Sequence, residues 1–333
     1  MAYPTAPFVL FAAAAGPDLG FGHLVRAGIL ADALGVSRHI VLRGTSAAIE
    51  TAIRFGWTVH RGPAVLDHLQ PDLLVVDEPS PAEVRRWVER AHRVAVPVAT
   101  IHDGGSARAA GDMVIDGSLM AAHVDRPTRA SGPTFALLDA GIASLRADRT
   151  PPEPYRVLIA LGGGTHVRRF GVAIAKSLAA AVPSLDVLLA AGFVSRHPLP
   201  SLPAGCRWLH APDGLAPHLT RAGVVVVAGG ITLYEACALG CATVAVPVVE
   251  AQRPAILAAA RAGAVMAPGA RHRRLSAGEV VRAVTELVAN PATARTYRRR
   301  ARQLLDGRGA ERVADRLLTL IEQSATGEWH HAA

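Results

Sequence analysis

Short apolar runs alternate with segments of helical periodicity along almost the whole chain. Residues 224–227 are four consecutive valines, the pattern of a strand that is buried on both faces of a parallel sheet. Residues 8–14 and 72–79 fit further strands, whereas residues 23–34 and 81–93 carry apolar positions at helical spacing. Repeated strand–helix units with short connections predict an α/β protein built on right-handed, mostly parallel sheets.

The length and one proline-rich stretch predict the domain organisation. A chain of 333 residues is long enough for two domains of about 150 residues each. The stretch 147–156 carries three prolines, with charges at both ends, which is typical of a linker. We therefore expect two Rossmann-like, doubly wound domains that face a central cleft, residues 1–147 and 156–325, joined by a linker at 148–155.

The chain is basic, with a formal net charge of +8 and a sequence pI of about 10.3. Such a balance attracts anions: nucleotides, nucleic acids or an acidic membrane surface. The arginine-rich segments 271–274 and 297–303 are not interleaved with aromatic residues, and no nucleic-acid motif accompanies them, so nucleic acid is not an expected partner. A solvated helix face is the favoured interpretation of these segments, and peripheral contact with an anionic membrane is the alternative.

The cysteines and the N-terminal segment bear on the compartment. Cys206, Cys237 and Cys241 contain no CxxC pair, which argues against a disulfide framework or a zinc site. The apolar segment 7–16 has no basic residue before it, because the first is Arg26, and a signal peptide needs a positive N-terminal region. No run reaches the roughly 18–20 apolar residues of a spanning helix. The expected localisation is cytoplasmic.

The glycines that follow the valine run predict an anion-binding turn. Gly229 and Gly230 leave the backbone bare at the carboxyl end of a strand, where ligands bind in open α/β sheets. Thr232 is placed to cap the next helix or to bind an anionic oxygen, and Glu235 follows at capping-box spacing. A diphosphate on the turn with its ribose on Glu235 fits this geometry. An ordinary strand–helix turn with a capped helix fits equally well.

A second glycine-rich turn lies in the same half of the chain. Three glycines follow the apolar strand that begins at residue 156: Gly162, Gly163 and Gly164. Thr165 stands at the entrance of the next helix, so this turn also suits a phosphate group. It matches neither a Walker A loop nor GxGxxG, and the signal is weak alone. Two such turns in one domain are stronger evidence for a nucleotide.

Titratable residues gather at the expected carboxyl ends of strands in the first half. His23 lies between a Gly-x-Gly and a helix, and Arg26 follows one turn later on the same face. A surface or capping residue is the ordinary interpretation of a lone histidine, and a catalytic role is as well supported here. The other strand-end residues are Asp77, Glu78, His102 and Asp103. Each of these alone is more often a loop residue than a catalyst.

Several segments together resemble one family. GFGHLVR at 20–26 looks like G-x-G-H-x-x-R, AGGITLYEACALGCATVAVPV at 228–248 like A-G-G-x-T-x-W-E-x-x-x-L-G-x-P, and LLDGRGAERV at 304–313 like D-G-x-G-x-x-R. VVDEPSPAEVRRW, IHDGG, SGPTFALLDAGI and LIALGGGTHVRRF support the match. The chain thus resembles the UDP-sugar hydrolase PseG of pseudaminic acid synthesis and its SpsG-like relatives, GT-B-fold proteins similar in architecture to MurG glycosyltransferases.

That resemblance implies roles for individual residues. His23 would activate water for attack at the anomeric carbon, with Asp77 and Asp103 as further catalytic residues. The residues implied for the nucleotide are Gly162, Gly163, Gly164, Thr165, His210, Gly229, Gly230, Thr232 and Glu235. Those implied for the sugar are Gly22, Arg26, His102 and Gln252. No cofactor and no metal are expected, since no D-x-D motif stands at a suitable site.

The chain departs from the family on the sugar side. The family's Asp-x-Tyr reads Asp-Glu-Pro at 77–79, so the aromatic residue is missing. Its Asn-Gln is Ala251-Gln252, and the first Asp of its I-D-D is His102. These changes lie where the sugar would bind. The nucleotide side of the resemblance is therefore the firmer part.

The predicted chemistry is a single inverting displacement in which His23 takes the proton of the attacking hydroxyl and UDP leaves. Helix N-termini and glycine-turn N–H groups would stabilise the leaving diphosphate, and the 147–156 linker would be one hinge of a domain closure. Hydrolysis of a UDP-sugar is the first hypothesis. Metal-independent glycosyl transfer from a UDP-sugar to a sugar or other alcohol is the alternative. A non-catalytic nucleotide-sugar-binding protein is the third.

Overall fold

The computed structural model describes residues 6–16, 19–104, 111–147, 150–162, 166–192, 199–270 and 276–329. The chain divides into two compact units. The first comprises Met1–Ala140 together with Arg308–Ala333, and the second comprises Gly141–Gly307. Each unit is built on its own sheet, so the predicted α/β class with two doubly wound, mostly parallel sheets is confirmed.

The first unit alternates strands and helices up to its fifth strand. Its described strands are β1 (Val9–Ala15), β2 (His39–Gly44), β3 (Thr58–His60), β4 (Leu73–Asp77), β5 (Val98–Ile101), β6 (Met113–Asp116), β7 (Val124–Arg126) and β8 (Arg129–Ser131). Its first helices are α1 (Gly22–Leu34), α2 (Ser46–Arg54), α3 (Val65–Leu69) and α4 (Pro81–Arg93). The strand order is β3-β2-β1-β4-β5-β6-β8-β7, and β7 alone runs antiparallel to its neighbour among these described strands.

The second unit repeats the pattern. Its described strands are β9 (Glu153–Ala160), β10 (Asp186–Ala190), β11 (Cys206–Leu209), β12 (Ala222–Ala228), β13 (Thr243–Val246) and β14 (Val265–Met266). Its helices are α5 (Gly141–Ala147), α6 (His166–Ala181), α7 (Ala216–Arg221), α8 (Ile231–Leu239), α9 (Arg253–Arg261), α10 (Ala277–Ala289) and α11 (Pro291–Leu304). The described strands are all parallel, in the order β11-β10-β9-β12-β13-β14.

The central strands are buried along their whole length, as the apolar runs predict. Every residue of β1, β4 and β12 is buried. Helices cover both faces of parallel sheets of this kind, which is why these strands carry apolar residues at consecutive positions. The buried carboxylates Asp77 and Asp116 stand at the last positions of β4 and β6, and the strand ends are where the candidate site lies.

The division into units differs from the predicted domains at both ends of the second one. The last helix, α12 (Gly309–Ala325), belongs to the first unit because its apolar face packs on α1 and on the short 3₁₀ turn Pro133–Phe135. A Cβ atom at Gly309 would come within 2.2 Å of the Ala136 carbonyl oxygen, so only glycine permits this close approach. The predicted range 156–325 therefore included a helix of the other unit.

The point where the chain first passes from one unit to the other also differs from the predicted linker. Helix α5 belongs to the second unit, where Arg146 donates to the carbonyl oxygens of Ala238, Leu305 and Arg302. Strand β9 begins at Glu153, inside the predicted linker 148–155. Pro151 and Pro152 precede the strand and Pro154 is its second residue, and prolines at the beginning of a strand do not prevent pairing further on, which is why composition misplaced the boundary. Across the described ranges, none of the helices is both long and apolar enough to cross a bilayer.

Candidate active site

The loop after β1 sets the position of the first candidate residue. Gly16 and Gly20 form an antiparallel bridge, with Gly16 N donating to Gly20 O at 3.0 Å and Gly20 N donating to Gly16 O at 2.7 Å. Gly20 has a φ of +78°, which favours glycine. Helix α1 begins directly afterwards at Gly22, so His23 stands in its first turn, as predicted. A Cβ atom at Gly22 would meet no described atom within 4 Å.

His23 is held by a carboxylate from the neighbouring strand. Strand β4 pairs with β1 in parallel and ends at Asp77. His23 Nδ1 lies 2.7 Å from Asp77 Oδ1, and the Asp77 side chain is only 3% exposed. An ionised carboxylate can only accept hydrogen bonds, so Nδ1 carries the proton and donates it. The lone pair of the imidazole is then on Nε2.

Arg26 ties the same carboxylate to a second one. Its Nε donates to Asp77 Oδ2 at 2.9 Å and one terminal nitrogen donates to Asp77 Oδ1 at 2.7 Å, while the other donates to Asp103 Oδ1 at 2.6 Å. Arg26 lies one turn after His23 on α1, which brings both side chains to one carboxylate. The nitrogen that donates to Asp77 Oδ1 also lies 3.0 Å from His23 Nδ1, because both groups donate to the same oxygen.

The charges of this cluster fix its protonation. Burial acts to raise the pKa of Asp77, but Arg26 and His23 outweigh it and lower that pKa to about 2. Burial acts to lower the pKa of Arg26, and the charges of Asp77 and Asp103 raise it above its ordinary value. Near neutral pH the cluster therefore contains an anionic carboxylate and a cationic guanidinium beside the histidine.

The cluster has one solvent-facing carboxylate. Asp103 follows β5, and its side chain is 54% exposed. Arg26 engages Oδ1, and among the described residues Oδ2 accepts no hydrogen bond. A half-exposed carboxylate oxygen beside a histidine can accept a hydrogen bond from a substrate hydroxyl.

His102 lies next to Asp103 but is engaged elsewhere. Its Nε2 lies 2.9 Å from Thr100 Oγ1, and its backbone N donates to Ile115 O at 2.8 Å. Burial lowers its pKa, although Asp116, Asp77 and Asp103 act in the opposite direction. His102 is therefore a neutral, half-buried imidazole beside the cluster. The sugar-binding role that the resemblance implies for it stays a prediction.

Glu78 points away from the cluster to a residue that the sequence reasoning missed. Its side chain is 2% exposed, and Arg43, from the end of β2, donates to it through Nε and through one terminal nitrogen at 2.7 Å. Consecutive side chains at a strand end point in different directions, which separates Glu78 from Asp77. The signal in the sequence that could have identified Arg43 is a charged residue directly after the apolar run of β2.

The turn after β12 carries the second group of predicted residues. Helix α8 starts at Ile231 with Gly230 as its cap residue, so no side chain caps this helix end. The capping interpretation of Thr232 and Glu235 was wrong, because these are the second and fifth residues of the helix rather than its cap and third residue. Uncapped N–H groups at a helix start are suited to an anion.

Gly229 is closely enclosed. A Cβ atom there would lie 2.7 Å from Gln252 Cβ, 2.8 Å from Gln252 O and 2.9 Å from Ile256 Cγ1. Gln252 itself accepts a hydrogen bond from Val248 N at 3.1 Å through Oε1. The segment before α9 is therefore packed against the turn. The predicted sugar-binding residue Gln252 lies beside the predicted nucleotide turn, and its side-chain amide oxygen is occupied by the backbone N–H of Val248.

The other glycine turn is described only in part. Gly162 follows β9 and has a φ of +110°, which favours glycine. Gly163, Gly164 and Thr165 lie outside the described residues. Strand β9 pairs with β12, so the two turns follow adjacent strands. His210 is exposed after β11, which β10 separates from β9, and it therefore lies apart from the two turns.

Comparisons place this architecture among known folds. No protein-family model matches the chain, and no curated protein matches it in sequence. The spinosyn rhamnosyltransferase SpnG, complexed with spinosyn aglycone, has a TM-score of 0.65 at 17% identity over 94% of this chain and 99% of that chain. MurG of Acinetobacter baumannii has a TM-score of 0.63 at 16% identity over 95% and 100%. The likeness shows the GT-B fold that the sequence predicted.

A third similar structure performs a different reaction on the same fold. The UDP-GlcNAc 2-epimerase of Neisseria meningitidis, bound to UDP-GlcNAc, has a TM-score of 0.61 at 12% identity over 93% of this chain and 99% of that chain. Identities this low establish the fold and leave the chemistry to the site. The resemblance to PseG-like hydrolases stays a prediction.

Proposed function

We propose that the protein is a metal-independent, inverting glycosyltransferase that uses a nucleoside diphosphate sugar, with UDP as the expected nucleotide, and that His23 is its general base. The observation that carries the proposal is the 2.7 Å hydrogen bond between His23 Nδ1 and the ionised Asp77. It fixes the tautomer that leaves Nε2 free to accept a proton.

In the proposed reaction an acceptor hydroxyl attacks the anomeric carbon from the face opposite the nucleotide. The new carbon–oxygen bond forms as the bond to the diphosphate oxygen breaks, and the nucleotide leaves with that electron pair. The hydroxyl proton passes to His23 Nε2. Asp77 stabilises the resulting imidazolium, since a buried carboxylate at hydrogen-bond distance favours the charged ring.

Arg26 and Asp103 have supporting roles in this proposal. Arg26 donates to both oxygens of Asp77, which sets the plane of that carboxylate and hence the direction of the imidazole. Asp103 orients a substrate hydroxyl through Oδ2, because Oδ1 is already engaged by Arg26. A basic side chain that is oriented by a further group is the arrangement typical of enzymatic general bases.

The second unit would bind the donor. The start of α8 presents backbone N–H groups without a side-chain cap, so a diphosphate on this turn would meet the positive end of the helix. Gly229 keeps the strand–helix turn in its tight packing against Gln252. Thr232 and Glu235, within the first turns of α8, would add contacts to the phosphate and the ribose.

Hydrolysis by the same site is the second candidate. It is favoured by the GFGHLVR segment, which resembles the PseG-like motif, and it needs only water in place of the acceptor. Transfer has the stronger support. Two of the similar structures are a rhamnosyltransferase with its aglycone and MurG, while the sugar-side residues at 77–79, 102 and 251 depart from the hydrolase pattern.

The test is nucleotide release from a panel of UDP-, dTDP- and GDP-sugars, with and without a library of hydroxyl acceptors, in water labelled with heavy oxygen. We expect release that depends on an acceptor and falls about 10³-fold in His23→Ala, with donor affinity kept. His68→Ala, an exposed histidine on α3 of the same unit, is the matched control. Rapid release without acceptor, with label in the sugar, would establish the hydrolase instead. Failure to bind any nucleotide sugar would overturn both.

A further inference from the structure

The charge of the molecule is concentrated in one unit. The second unit has 20 basic and 9 acidic residues, a formal charge of +11, whereas the first has 15 basic and 18 acidic residues, a formal charge of −3. An excess of this size exceeds what one diphosphate donor neutralises. The excess charge of the second unit therefore leaves room for a second anionic partner on its surface.

Helix α11 carries five arginines and no acidic residue. Two of them serve the fold: Arg298 donates to Gly223 O, and Arg302 donates to Arg146 O at 2.9 Å. The other three, Arg295, Arg299 and Arg300, are exposed, and none forms a hydrogen bond or ion pair within the described residues. We call these three the α11 arginine surface.

Some exposed arginines elsewhere in the protein have acidic partners. Arg86 pairs with Glu83, Arg207 with Asp186, and Arg221 with Glu153, although each of these arginines is more than half exposed. On α11, by contrast, Arg295 and Arg299 stand four residues apart. Like charges at that spacing destabilise a helix by a few tenths of a kcal/mol. What distinguishes the three arginines of α11 from other unpaired, exposed arginines, such as Arg61 and Arg85, is that they stand together on one helix without an acidic residue.

We propose that the α11 arginine surface docks the protein on an anionic membrane. The three arginines are exposed on one helix, and among the described residues of α11 there is no exposed aromatic side chain on which a base could stack, because Tyr297 packs against the core of the second unit. Lipid headgroups diffuse to match any spacing of cations, so a membrane needs no further shape from the protein. Juxtamembrane arginines near acidic lipids each add attraction of this kind.

The inference does not depend on the proposed catalytic function, since it rests on charge and exposure alone. It adds a partner to that function: an enzyme held at a membrane would meet acceptors that are embedded in it. The sequence favours a solvated helix face for these arginines, with contact to an anionic membrane as the alternative. The present proposal assigns that contact to three side chains.

The test is sedimentation of the full chain with vesicles of phosphatidylcholine containing about 30 mol % phosphatidylglycerol, against phosphatidylcholine alone, at low and high salt. The variant Arg295→Gln/Arg299→Gln/Arg300→Gln removes the surface, and glutamine has nearly the helix propensity of arginine. We expect its partition coefficient on anionic vesicles to fall about 100-fold, and that of Arg299→Gln alone about fivefold. Thermal unfolding followed by circular dichroism checks that each variant folds.

The matched control is Arg86→Gln/Arg207→Gln/Arg221→Gln, which removes the same charge from exposed but paired arginines. It should change the partition coefficient less than about threefold, because paired charges contribute little at a surface. Equal losses in the two triple variants, or no sedimentation of the wild type with anionic vesicles, would overturn the proposal. So would tighter binding of a single-stranded RNA homopolymer that depends on the same three arginines, which would assign the surface to nucleic acid.

Discussion

The carboxyl edges of the two sheets are built in opposite ways. At the edge of the first sheet, side chains from α1, β4 and the segment after β5 meet in one network of charged hydrogen bonds. At the edge of the second sheet the candidate contacts are backbone: a glycine turn, an uncapped helix start and a packed neighbour. In the proposed function, the same strand–helix unit would support a reactive group in one place and a binding surface in the other.

The difference follows from what each task requires. A proton acceptor needs one atom in one protonation state, and a side chain whose tautomer is fixed by a hydrogen bond provides this. A diphosphate carries charge on several oxygens and is bound by several N–H groups and a helix dipole. Substitution should accordingly change the rate at the first edge and the affinity at the second.

The largest expected effect is that of Asp77→Asn. An asparagine can offer its amide N–H₂ to Nδ1, which moves the proton to Nε2 and removes the base, so we expect kcat to fall about 10³-fold with donor affinity kept. Arg26 keeps only Asp103 as a charged partner, which also destabilises the fold by about 2 kcal/mol. Steady-state kinetics and chemical denaturation measure the two effects. Asp103→Asn is the control, since its exposed carboxylate should cost far less stability.

Gly229→Ala should act on the other edge. The added Cβ must displace Gln252 or Ile256, so the turn shifts and we expect the donor dissociation constant to rise about 100-fold, with kcat at saturation reduced far less. Isothermal titration with UDP measures this. Gly230→Ala separates packing from ligand approach, because a Cβ there meets no described atom within 4 Å. If Gly230→Ala weakens UDP binding without loss of stability, the turn contacts the ligand directly.

The smallest effect is on acid stability. The pKa of Asp77 is about 2 in the folded protein, against roughly 3.9 for an unfolded aspartate. A lowered pKa contributes stability that is fully present above about pH 4 and is lost as the pH falls through 2. The lowered pKa of Asp77 contributes about 2 kcal/mol to the free energy of unfolding. Urea unfolding between these pH values should show a shallower loss for Asp77→Asn than for the wild type. Equal slopes would show that the cluster is not ionised as described.

The sequence predicts much of the first edge and less of the second. The apolar runs place His23, Asp77 and Asp103 at strand ends, and parallel strands bring such ends together. The role of Arg26 between two carboxylates depends on side-chain directions, which periodicity does not give. Arg43 was not predicted as a residue of the site because a single arginine at the end of a strand has many ordinary explanations.

Two other features were not predicted from the sequence, for physical reasons. The helix start at Ile231 follows from backbone geometry at Gly230, whereas the capping interpretation rested on residue types alone. The return of α12 to the first unit depends on a close approach at Gly309 between segments more than 170 residues apart, and local composition does not carry such long-range contacts. Helix and strand positions are local properties, and the partners of a helix are not.

The central claim is that His23 takes the proton of an attacking hydroxyl in a single displacement. The most direct measurement is the anomeric configuration of the product, followed by proton NMR in the first turnovers of the wild-type enzyme with a nucleotide sugar and an accepted hydroxyl compound. We predict inversion relative to the donor, with product formation reduced about 10³-fold in His23→Ala while that variant still binds UDP. Retention of configuration, or unchanged turnover in His23→Ala, would contradict the account.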